Sequence, residues 1–115
     1  MAKSKPTIRT LDWLRKNGYT AGVVEKWNPH VKIRQDLFGF VDIVAFDELD
    51  VVLVQACRGA DTSTREKKIM GNQHAIRWLE SGRPIWVVGW RQTVAYKKDG
   101  TKAKLKKWTE KVTKL

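Results

Sequence analysis

Apolar residues first recur at helical spacing at Ile8, Leu11 and Leu14, and Asn17-Gly18 follows as a stop, which predicts a helix over 8–17. Thr20 to Trp27 alternates like a strand, with Ala21, Val23, Glu25 and Trp27 on one side, until Asn28-Pro29-His30 breaks it. Leu37 to Phe46 is almost wholly apolar and aromatic. The polar stretch Asp47 to Asp50 separates it from a second apolar run, Val51 to Cys57, so two neighbouring strands joined by a tight turn are expected. Thr62-Ser63-Thr64 opens a helical stretch that reads as one long helix to Ser81, with Ser63 and Glu66 placed as a capping box and Gly82-Arg83-Pro84 as the stop. Ile85 to Trp90 is apolar throughout and therefore reads as an internal strand. Beyond it, Lys98-Asp99-Gly100 predicts a turn between Thr93–Lys97 and a last segment, Lys104–Leu115. That segment fits a hairpin return, but Leu105, Trp108, Val112 and Leu115 equally fit one face of a helix, and its type stays open. The order helix, strand, strand, strand, helix, strand, basic extension predicts an α/β architecture: a mixed sheet flanked by helices.

At 115 residues the chain fits one domain, with a core over about 7–90 and an extension over 91–115. Charge changes the picture more than size does. Lys and Arg number 23 against 12 Asp and Glu, leaving +11. From Arg91 onward there are nine basic residues and two acidic ones, so that quarter alone carries +7. Cationic excess of this kind, interleaved with apolar residues, is the footprint of phosphate binding. Arg34, Arg58, Arg91, Lys97, Lys98, Lys102, Lys104, Lys106 and Lys107 are the candidate cations. Of the six tryptophans, Trp90 beside Arg91 and Trp108 amid lysines are the two expected to stack on unpaired bases.

Cys57 is the lone cysteine, which excludes an internal disulfide and a multi-cysteine zinc site and makes a reducing, cytoplasmic compartment the expectation. Neither a signal peptide nor a membrane span is expected. His30 and His74 are isolated, no Gly-rich phosphate loop is present, and Cys57 has no partner at a spacing that would make it a nucleophile.

Asp42 and Gln55 interrupt the two apolar strands. If the turn is symmetric about Glu48-Leu49, Phe46 faces Val51 and Asp42 faces Gln55, and directly opposed residues share a sheet face with Cβ atoms about 5 Å apart. A carboxylate kept inside such a strand needs a cation or a hydrogen-bond network, because burying it unpaired costs several kcal/mol. Two readings stay open: Asp42 and Gln55 hold a hard cation such as Mg²⁺, with Glu25 and Asp36 as further oxygen ligands, or they bond each other and the neighbouring backbone.

Gly39-Phe40-Val41-Asp42, followed after twelve residues by Gln55-Ala56-Cys57, resembles the PD-(D/E)XK nuclease superfamily, in particular its small Holliday junction resolvase-like and restriction-type members. The resemblance covers roughly residues 7 to 90 by element order. It implies a restriction-endonuclease-like fold that hydrolyses DNA phosphodiester bonds with one or two Mg²⁺ (or Mn²⁺) ions and acts as a homodimer. It also implies that Asp42, Gln55 and the Ala56 carbonyl are the principal ligands, completed by Glu25 or Asp36. Cys57 stands where the family has a lysine, and a neutral thiol cannot supply that lysine's charge. Lys67 and Lys68, at the start of the second helix, are the cations expected to reach back. The alternatives are a catalytically impaired module that binds DNA or RNA on the nuclease scaffold, and an RNA-binding protein in which Asp42 and Gln55 are structural.

Overall fold

The computed structural model describes residues 5–102 and 106–115, apart from the side chain of Arg34. The elements in order are α1 (Lys5–Lys16), β1 (Thr20–Val23), β2 (Lys26–Asn28), β3 (Ile33–Gln35), β4 (Ile43–Phe46), β5 (Val51–Arg58), a 3-10 turn (Gly59–Asp61), α2 (Thr62–Met70), α3 (Gln73–Glu80), β6 (Ile85–Thr93) and β7 (Lys107–Lys114). Five strands form one mixed sheet in the order β1-β4-β5-β6-β7, and β2 and β3 form a separate hairpin. Only the β5–β6 pair is parallel, because the 3-10 turn, α2 and α3 carry the chain back over the sheet before β6 begins.

Strand alternation gives the sheet two apolar faces. One buries Ile43, Ala45, Val52, Val54, Trp86, Val88 and Trp90 against Leu11 and Leu14 of α1. The other buries Leu53, Cys57, Ile85 and Val87, with Phe40 and Val41, under Ile69 of α2 and Ala75 of α3. The result is a three-layer α/β domain. Trp90 Nε1 donates to Thr10 Oγ1 at 2.8 Å and ties α1 to the centre of the sheet. Among the described residues no helix is long and apolar enough to cross a membrane.

The β4–β5 turn closes as its polar residues dictate: Asp47 Oδ1 accepts from Leu49 N at 2.9 Å and Asp50 N at 3.0 Å. Ile43 pairs with Val54 and Phe46 with Val51, the register expected from the symmetric turn.

Elsewhere local geometry departs from the hydrophobic pattern. The first strand stops at Val23 instead of running to Trp27, and Lys26–Asn28 turns away to pair with Ile33–Gln35. Apolar Leu37–Val41 is a tight loop, not the start of a strand, with Phe38 at φ 56° and Gly39 at φ 83°. The long helix is two helices. Gly71 ends α2, and Asn72 caps α3, accepting from His74 N at 2.8 Å and Ala75 N at 3.2 Å. The Ser63–Glu66 capping box is not the N-terminus of α2: Asp61 is the cap residue, and Thr62 Oγ1 donates to Gly59 O instead. The C-terminal segment takes the hairpin alternative, β7 lying antiparallel along the whole of β6.

One glycine sets how low α2 sits. A Cβ on Gly89 would lie 2.5 Å from Thr62 Oγ1 and 3.2 Å from Gly59 Cα, so only a bare backbone lets the start of α2 rest on β6.

Candidate functional site

Asp42 lies just before β4, at the point where the regular ladder ends. Its N–H donates to Val54 O at 2.9 Å, and its C=O accepts from Val24 N at 2.9 Å, so the backbone of Asp42 spans from the end of β1 to β5. These two bonds bring Glu25, the neighbour of Val24, and Gln55, the neighbour of Val54, to its sides. The tight loop supplies the third member. Leu37 and Val41 pair as an antiparallel bridge, which sets Asp36 opposite Asp42. One carboxylate oxygen from each of Glu25, Asp36 and Asp42 lies within 4.8 Å of the others.

The side chain of Asp42 also replaces a missing stretch of ladder. Its Oδ2 accepts from Gln55 Nε2 at 2.9 Å and from Ala56 N at 2.8 Å. Val54 O and Ala56 N both point toward β4, and alternate residues of a strand repeat direction, so the Ala56 carbonyl opens to this side as well. Gln55 is 2% exposed, and its Oε1 has no hydrogen-bond partner among the described residues. Gln55 Oε1 is thus a buried amide oxygen without a donor beside the Asp42 carboxylate, which together with Glu25 and Asp36 makes a set of hard oxygen donors.

Electrostatics point the same way. The Asp42 carboxyl is pushed up to about 8, first by burial, then by the hydrogen bond and charge of Asp36, with Glu25 adding to the push and the Ala56 N–H opposing it. Two carboxyl groups hydrogen-bond each other only with a proton between them. A proton shared between Asp36 and Asp42 is what adds to the effect of burial.

Cys57 follows Gln55 by two residues and lies on the same sheet face, 4% exposed. Burial pushes its thiol up, while a hydrogen bond with Thr62 and the positive charge of Arg65 pull it down. Arg65 is the cation that the sequence reading missed. Thr62 and Ile69 are the buried residues of α2, and Arg65 falls on their face at i+3 and i−4. That spacing was legible once α2 had been placed. Lys67 and Lys68, the expected cations, are exposed on the rest of the helix.

The candidate nucleic-acid residues divide between the faces. Arg91, Lys107 and Lys111 lie on the face of Gln55 and Cys57, since Lys111 pairs with Gly89, Gly89 with Cys57, Arg91 with Thr109 and Lys107 with Thr93. Arg58 pairs with Trp90 on the α1 face and forms an ion pair with Asp61 at 3.1 Å. Lys97, Lys98, Lys102 and Lys106 are exposed, the first three around the turn closed by Lys97 N to Thr101 O at 2.7 Å. Arg34 sits on β3 opposite Trp27. Lys104 and the side chain of Arg34 lie outside the described residues. Trp90 is 7% exposed with its indole N–H committed to Thr10, so it is core and not a stacking surface; Trp108, at 44%, is accessible.

No family model, no curated protein and no solved structure matches the chain. Fold and site define a three-layer α/β protein with a mixed five-stranded sheet and a partly buried acidic cluster where the residue before β4 meets the end of β1 and β5.

Proposed function

We propose that this chain is a divalent-metal-dependent endonuclease of the PD-(D/E)XK, restriction-endonuclease-like type, hydrolysing DNA phosphodiester bonds at the Glu25–Asp36–Asp42 cluster. The observation that carries the reading is the unpartnered Gln55 Oε1 beside three converging carboxylates. Asp42, Gln55 and the Ala56 carbonyl are the primary oxygen donors, and Glu25 and Asp36 complete the set for Mg²⁺ or Mn²⁺. A hard cation held there supplies Lewis acidity toward a phosphoryl oxygen. Asp42 would have to give up the proton it shares with Asp36 to hold such an ion. Arg65, not Lys67 or Lys68, supplies the positive charge that the family's lysine provides, and Arg91, Lys107 and Lys111 on the same face hold the flanking phosphates. A branched DNA substrate and a homodimer belong to the same resemblance, since two symmetric cuts need two sites.

The buried thiol at the family's lysine position favours a second reading, a module that kept the scaffold and binds DNA or RNA without cutting it. One experiment separates them: Mn²⁺ titration by calorimetry together with cleavage of labelled linear and four-way-junction DNA. The nuclease reading expects Mn²⁺ binding and cleavage, with Asp42→Asn abolishing the first and lowering the second on the order of a hundredfold. Mn²⁺ and DNA binding without cleavage leaves the second reading. No Mn²⁺ binding at all removes both the site and the enzyme.

A further inference from the structure

On the opposite face of the sheet, α1 and β7 enclose a groove that the acidic cluster does not touch. It consists of two hollows of about 250 Å³ and 420 Å³ that share Arg9, Trp90 and Trp108 as walls. The larger falls within the range of about 300–1,000 Å³ typical of ligand pockets. Trp90 forms a fixed floor, because its indole N–H is bonded to Thr10 Oγ1 and Thr10 Oγ1 in turn donates to Pro6 O at 2.7 Å.

The Arg9 guanidinium carbon lies 3.5 Å from the centroid of the Trp108 ring. That is van der Waals contact, so the guanidinium lies flat on the indole with no N–H between the planes, and its five donors fan out sideways. No hydrogen bond or ion pair engages Arg9 among the described residues. The cation is therefore held in place by a ring while its hydrogen-bonding capacity goes unused. Lys5, Lys16 and Arg58 also line the groove against a single carboxylate, Asp12. Arg58 is neutralised by Asp61, which leaves Lys5, Arg9 and Lys16 to set the sign of the rim. Such a groove wants an anion, and the part of the half-exposed indole that Arg9 does not cover wants a flat apolar partner next to that anion.

We propose that the groove between α1 and β7 binds single-stranded nucleic acid, one phosphate seated on Arg9 and an unpaired base stacked in the Trp108 hollow. A duplex keeps its base faces covered, so only an unpaired stretch presents both groups to a recessed ring. The site is separate from the acidic cluster and does not depend on the nuclease reading.

The test is fluorescence anisotropy of a labelled thymidylate dodecamer with the full chain, in EDTA so that the acidic cluster is cation-free, across a series of salt concentrations. Two variants should leave different signatures. Trp108→Leu keeps apolar bulk on β7 but loses the aromatic face, and affinity should fall about tenfold with the salt slope unchanged. Trp108→Phe should retain most of the binding. Arg9→Gln should make the slope of log K against log salt shallower by about 0.7, the value for one phosphate contact on a single strand. A uridylate dodecamer should show the same dependence on Trp108, whereas a duplex of equal length should show none. Unchanged dodecamer affinity in both Trp108→Leu and Arg9→Gln overturns the proposal. So does a dependence on Arg9 and Trp108 that appears only with phosphatidylserine vesicles.

Discussion

Asp42 is the residue on which the proposed chemistry turns, and its environment makes a prediction that requires no substrate. Its folded carboxyl is raised from 3.8 to about 8, so the folded state holds this proton more tightly than the unfolded chain does. Stability from that proton is fully present below the unfolded value and is lost as pH rises toward about 8. In EDTA, the melting temperature should fall between pH 4 and 8 by this contribution and level off above. Asp42→Asn can keep the bonds from Gln55 and Ala56 and donate to Asp36, so it should remove the loss with pH and melt higher than the parent at pH 8. Mn²⁺ should raise the parent's melting point most at high pH and leave the variant unchanged. Thermal scans across pH check all three, and a variant that melts lower than the parent at pH 8 would mean that Asp42 is not strained as described. The proximity of Asp42 and Gln55 was legible in the sequence because a symmetric turn fixes the register as far as Ile43–Val54; past that pair Asp42 N bonds to Val54 O, and a side-chain hydrogen bond, not direct opposition, joins Asp42 to Gln55. Asp36 and Glu25 were legible only as nearby acids. What brings them in is a left-handed loop at Phe38-Gly39 and a strand break after Val23, which hydrophobic pattern does not encode. Arg65 was not legible because α2 carries few apolar residues to mark its inward face, which packing on the sheet sets through Thr62 and Ile69.

At the scale of elements, the sequence reading succeeded where a pattern is long and failed where a tertiary contact replaces it. The β4–β5 hairpin, α1 and β6 follow from periodicity and turn chemistry. The division of the second helix was signalled by Gly71-Asn72, but the reason for it is tertiary. Asn72 caps α3 with its oxygen and, with its Nδ2, donates to Phe38 O at 2.9 Å, pinning the loop that carries Asp36. Asn72→Ala should therefore cost about 1–2 kcal/mol, the upper part of the range for a lost cap. It should also weaken Mn²⁺ binding, although Asn72 is not itself a ligand. Denaturant melts paired with Mn²⁺ calorimetry test both, and an unchanged Mn²⁺ affinity would dissociate the cap from the site. Asn72→Asp, which keeps the cap and loses the donor to Phe38, should retain stability better than affinity. The C-terminal segment was ambiguous because Leu105, Trp108, Val112 and Leu115 are spaced for a helix. The edge of β6 away from β5, with its backbone groups to satisfy, is what decides for a strand.

For the whole molecule, the consequence is that the basic C-terminal quarter is structural as well as electrostatic. β7 covers β6 from Trp86 to Thr93, so deleting it would expose the parallel core and test folding instead of binding. Charge neutralisation on the intact sheet is the informative change. If about five phosphates are contacted, duplex affinity should fall with salt at a log–log slope near −4.5, and Lys107→Gln with Lys111→Gln should bring it to about −2.7. An unchanged slope in filter-binding or anisotropy measurements would move the contact surface away from this edge. The strand order carries one more implication, about ligand length. From β4, beside Asp42, to β7, which bears Trp108, there are three inter-strand steps, about 14 Å across the sheet before any thickness is added. At about 3.4 Å per nucleotide, a tetranucleotide only just measures that width and has nothing left to wrap the rim. If both proposed sites take nucleic acid, short oligomers should settle on one side of the molecule or the other, and only longer strands should bridge the two.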